Sequence, residues 1–101
     1  MPDEPLRPWT LIAFTERFLD WVDRETIDEH TQRVVDAWID SRAVDPYRGV
    51  ALEDGFPDLW FGQIPGTLHQ GGYAVAVCSY FIDPGEHAVR CNMFSSLSWP
   101  V

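Results

Sequence analysis

The sequence predicts an α+β fold of order β-α-α-β-β-β, with a helical hairpin packed on one face of a small, mainly antiparallel sheet. Three observations lead there. Residues 71–100 hold two long β-prone runs around the turn formers Asp83, Pro84, Gly85 and Glu86, the pattern of a β-hairpin. Residues 15–42 hold two apolar stripes at helical spacing, separated by three residues, as in an antiparallel helical hairpin. Two shorter aromatic and β-branched runs, 9–14 and 59–64, supply further strands. With 101 residues the chain has room for a single domain and one modest core.

Taken in order, residues 1–8 contain three prolines and read as an extended lead-in. Trp9-Thr10-Leu11-Ile12-Ala13-Phe14 reads as a strand, with a helix starting at Thr10 as the competing assignment. Thr15 can cap a first helix whose stripe is Phe18, Leu19, Trp21 and Val22. Thr26 and Glu29 have the spacing of a capping box, which opens a second helix through about Arg42. Its buried side carries Ile27, Val34, Val35, Trp38 and Ile39. Asp45-Pro46 ends that helix, because a residue before proline avoids the helical region. A loop then runs to Pro57, a strand covers 59–64, and 67–72 is a link into the terminal hairpin. The sheet accordingly falls within 59–99.

If residues 83–86 are the hairpin loop, Ile82 lies opposite His87 and Cys78 opposite Cys91. Side chains alternate along a strand, so this register sorts the hairpin into two faces. One holds Ala74, Ala76, Cys78, Tyr80, Ile82, His87, Val89, Cys91, Met93, Leu97 and Trp99, and is suited to helix packing. The other holds Tyr73, Val75, Val77, Ser79, Phe81, Ala88, Arg90, Asn92, Phe94, Ser96 and Ser98. It mixes apolar and polar groups and is the predicted working surface.

Hydrophobic content of 46% and aromatic content of 14% exclude a disordered chain. No apolar run approaches the roughly 20 residues of a membrane span, and the acidic N-terminus lacks the order of a signal peptide. A cytoplasmic protein is expected, with no membrane partner. Formal net charge is −9, all but two of the 16 acids precede residue 59, and there is no lysine. Such a chain repels a phosphate backbone, so high-affinity binding to free nucleic acid is not expected. Two cysteines without a secretory signal suggest reduced thiols. His69, Cys78, His87 and Cys91 are zinc-ligand types, but their spacing does not form a metal motif, and neither a metal nor another cofactor is expected.

The opening Trp9-to-Val22 segment, the helix-ending Asp45-Pro46, and the run Tyr73-Ala-Val-Ala-Val-Cys-Ser-Tyr-Phe-Ile-Asp83 together resemble the RelE/ParE toxin superfamily over about residues 9–95. The resemblance implies a toxin of a toxin–antitoxin pair, with an antitoxin or other small protein as partner. The target would be a protein such as gyrase, or the ribosome, where many members cleave messenger RNA. Cleaving members carry basic residues, often with histidine or tyrosine, on the open face and at the end of the sheet. Here the last strand closes with Ser95-Ser-Leu-Ser-Trp-Pro-Val101, which shifts the expectation towards inhibition by binding.

RNA cleavage through a 2′-hydroxyl requires a base, an acid and cationic help at the phosphate. Arg90, His69 and His87 are the candidate catalytic residues, although the register sets His87 and Arg90 on opposite faces. For protein binding the candidates are Tyr73, Ser79, Phe81, Arg90, Asn92 and Phe94, since aromatics and arginine carry most interface energy. An acidic, non-enzymatic inhibitor or adaptor on the same scaffold is the second reading.

Overall fold

Helices α1 (Phe14–Glu25) and α2 (Glu29–Arg42) cover one face of a five-stranded mixed sheet in a computed structural model that describes residues 7–67 and 74–98. The strands are β1 (Thr10–Ile12), β2 (Ala51–Leu52), β3 (Leu59–Gln63), β4 (Ala74–Asp83) and β5 (Ala88–Ser98), in the spatial order β1-β5-β4-β3-β2. All neighbours are antiparallel except β1, which runs parallel to β5. The α+β class and the helical hairpin are as the sequence predicts; β2 is an addition, two residues long and hidden in the predicted loop. Among the described residues no helix is long and apolar enough to cross a membrane.

The junctions differ from expectation in instructive ways. β1 ends at Ile12 and α1 begins at Phe14, so Ala13 alone makes the turn, in the left-handed region at φ 66°. Thr15 therefore lies inside the first turn and does not cap it. The predicted box at Thr26 and Glu29 also moves. Thr26 is used as the left-handed C-cap of α1 (φ 54°), a conformation incompatible with an extended N-cap, and its N–H donates to the Val22 carbonyl. Asp28 is extended and takes over as N-cap, its carboxylate accepting from the Thr31 N–H at 3.1 Å and the Thr31 hydroxyl at 2.6 Å.

The core lies between the helices and one side of β4 and β5. It gathers Phe14, Trp21, Val35, Ile39, Ala76, Cys78, Tyr80, Ile82, Val89, Cys91 and Phe94. Small residues on β4 leave room for the helix side chains, while Leu19, predicted on the buried stripe, is 57% exposed. The two cysteines are free and buried, not bridged. Burial, with Cys91 beside it, pushes the Cys78 thiol well above its ordinary range.

Arg42 ends α2 inside the protein, with only 4% of its surface exposed. Its guanidinium lies over the Trp38 ring, 4.4 Å from the centroid, and donates to the Arg48 carbonyl at 2.7 Å and the Tyr80 hydroxyl at 3.0 Å. The Tyr80 hydroxyl in turn donates to the Pro46 carbonyl. Among the described residues no carboxylate makes an ion pair with Arg42. The network thus fixes the chain reversal after α2 against the middle of the sheet.

Two outcomes test this packing. A Cβ on Gly62 would sit 2.6 Å from Val50 Cγ1 and 3.0 Å from the Gly49 carbonyl oxygen, so Gly62→Ala should lower unfolding free energy by about 1–3 kcal/mol in urea titrations. Burial raises the Tyr80 pKa, outweighing the opposing influence of Arg42. The folded state therefore holds the proton more tightly than the unfolded one, and this stabilisation is lost as pH rises beyond the ordinary tyrosine value of roughly 10. Tyr80→Phe should cost about 1–3 kcal/mol near neutral pH by stranding the Arg42 and Pro46 groups, and should flatten the alkaline fall in urea midpoint seen in the wild type.

Candidate protein-binding face

The hairpin loop is 84–87, with Asp83 paired to Ala88. Asp83 Oδ1 accepts from the Glu86 N–H at 3.2 Å, and His87, not Gly85, takes the positive φ of 54°. Starting β5 one residue later moves every predicted pair by two, which preserves the faces. Tyr80 lies opposite Cys91 and Phe81 opposite Arg90.

Beyond that point the predicted faces fail. A bulge falls between Ser79 and Tyr80, leaving Asn92 as the extra residue, so Ser79 pairs with Met93 and Cys78 with Phe94. An extra residue reverses the alternation of everything after it. Phe94 consequently turns to the helices, where it is 1% exposed and stacks on Trp21 at 5.9 Å, with Phe14, Phe18 and Trp38 around it. Ser96 follows it and accepts a hydrogen bond from Trp21 Nε1. Met93 and Leu97, predicted beside the helices, come to the open face instead, 47% and 41% exposed. The Asn92 side chain bridges back over the bulge and donates to Ser79 Oγ at 2.9 Å.

The predicted site residues separate accordingly. Arg90 and Phe81 are cross-strand neighbours on the open face, where Phe81 is 39% exposed. Asn92 borders the same face, but Ser79 is buried and engaged by it. Phe94 is core, not binding surface. His69 and Tyr73 fall outside the described residues. His87 is on the helix side: its Nε2 donates to the Arg7 carbonyl oxygen at 2.7 Å, and its ring stacks on Trp9 at 4.0 Å. The Thr10 N–H also donates to the His87 carbonyl. His87 thus anchors β1 to the hairpin turn and does not meet Arg90.

Register places Ile12, Ala88 and Leu59 around the Phe81–Arg90 pair. The Phe81–Arg90 pair lies in a groove of about 830 Å³ whose lining includes Thr10, Ile12, Phe81, Ala88, Arg90 and the acids Asp58, Asp83 and Glu86. Arg90 is its one cation among the described residues, and none of these acids forms an ion pair with it. Sequence reasoning missed Met93 and Leu97 on the open face and Asp58 in the groove. The first two depend on the bulge, and Asp58 is brought in by pairing between β3 and β4. Chemically, the groove offers apolar area, one guanidinium and three carboxylates, and among its described residues no imidazole stands beside Arg90. Compared with known proteins, the chain matches no family model, no curated protein and no solved structure.

The bulge makes opposite demands on adjacent residues. Phe94→Ala should destabilise the fold by about 3–5 kcal/mol, whereas Met93→Ala should change stability by less than about 0.5 kcal/mol. Chemical denaturation of both variants checks this, and equal losses would contradict the assigned register.

Proposed function

We propose that this protein is a toxin-derived inhibitor on a RelE/ParE-like scaffold, acting in the cytoplasm by binding another protein through the open face of its sheet. The observation that carries the reading is the composition of that face. Phe81, Met93 and Leu97 expose apolar surface, and Arg90 shares its groove with three carboxylates. Aromatic and arginine side chains on an apolar patch are the ingredients of a protein contact. A phosphodiester approaching Arg90 would instead meet Asp58, Asp83 and Glu86, in a chain of net charge −9. RNA cleavage is disfavoured on the same physical ground, since among the described residues of the groove only Arg90 opposes those acids. The element order and the helical hairpin on one side of the sheet support the RelE/ParE-like scaffold; the antitoxin-like partner follows from that resemblance.

Induced expression in a bacterium tests the reading. Growth should stop while transcript ends stay unchanged by sequencing, and a small partner protein should restore growth. Phe81→Asp should weaken target binding by about thirtyfold, the loss of one interface anchor worth roughly 2 kcal/mol, and should remove the arrest while circular dichroism stays native. New transcript ends in arrested cells, or arrest undiminished by Phe81→Asp, would reject inhibition through this face.

A further inference from the structure

The open face also indicates the chemistry of what covers it. We infer that its occupant is a cationic amphipathic segment of a partner protein, whose lysine or arginine side chains meet Asp58, Asp83 and Glu86 while its apolar side chains lie on Ile12, Phe81 and Ala88. This rests on the protein-binding reading above and specifies the partner's charge.

Three features carry the inference. The groove is two-part, with an apolar floor from β1, β4 and β5 and acids at the end formed by the β4–β5 turn and the approach to β3. Its three carboxylates against one arginine leave a net negative lining, and no ion pair with Arg90 competes for them among the described residues. The chain as a whole carries −9 with no lysine, so a second copy of it would bring like charge to like charge. A cationic segment has the opposite sign over both the local and the long range. The acids are exposed, so each contact adds little affinity by itself. Their contribution is to speed encounter and reject acidic competitors, whereas Phe81 and its apolar neighbours supply the binding energy.

The test uses the full chain and two labelled peptides, one alternating lysine with leucine and the other alternating glutamate with leucine. Fluorescence anisotropy should show binding of the lysine peptide alone. Combining Asp58→Asn, Asp83→Asn and Glu86→Gln should weaken that binding about tenfold and remove most of its sensitivity to salt. Combining Asp23→Asn, Asp36→Asn and Asp40→Asn on the helices removes the same formal charge and should leave affinity within about twofold. Circular dichroism and thermal scans verify that both variants fold. The inference is overturned if the glutamate peptide binds equally, if neither peptide binds, or if the helix variant loses as much affinity as the groove variant. Growth arrest that survives the groove variant but not Phe81→Asp would defeat the charge requirement while leaving inhibition through the face intact. Groove-dependent binding of the lysine peptide without any growth arrest would defeat the inhibitor reading and leave the charge preference standing.

Discussion

Asn92 is one residue more than the ladder between β4 and β5 can pair, and its accommodation governs both sides of the sheet. Without the bulge, Met93 would face the helices and Phe94 the open side. With it, Phe94 reaches Trp21, Phe18, Phe14 and Trp38, and becomes the meeting point of the aromatic rings from both helices. A rigid aromatic ring there gains oriented contacts with the four surrounding rings that a flexible methionine at the same position would not supply. The Asn92–Ser79 hydrogen bond and the Arg24 guanidinium, which donates to the Phe94 carbonyl oxygen at 3.2 Å, hold the displaced backbone from either side.

A second constraint acts at the far end of α2. A buried guanidinium is costly unless its donors are met, and Arg42 meets them with backbone and hydroxyl oxygens and the face of Trp38. Because those oxygens come from Ser41, Arg48 and Tyr80, one side chain couples the helix end, the following loop and β4. The adjacent ring series His87, Trp9, Tyr47 and Trp60 extends this clamp from the hairpin turn to β3. His87 is thereby committed to architecture, so its imidazole is held at the turn by Trp9 and the Arg7 carbonyl and does not meet Arg90.

Those two constraints together shape the open face of the sheet. The helices and aromatic rings consume one side of the sheet, and the bulge sends Met93 and Leu97 to the other. Carboxylates collect at the turn end of that side, where an exposed acid is easily hydrated. The proposed partner chemistry follows from that placement, because carboxylates at this end of the face favour cationic polypeptide over phosphate.

The sequence by itself determined the α+β class, the helical hairpin, the span of β3 to within a residue, and the exposure of Phe81 and Arg90. Each follows from local periodicity, proline placement or turn chemistry, which act over a few residues. What the tertiary structure alone decided was the competition between such signals. Thr26 has the side chain of an N-cap but is taken by the end of α1, so Asp28 caps α2 instead. Asn92 carries no mark of a bulge in its own neighbourhood; it is displaced because Phe94, two positions on, gains more by packing against helices some seventy residues earlier in the chain. Asp58 joins the groove only through strand pairing. Register after a bulge is a long-range energy balance, and a two-residue period read along one strand has no access to it.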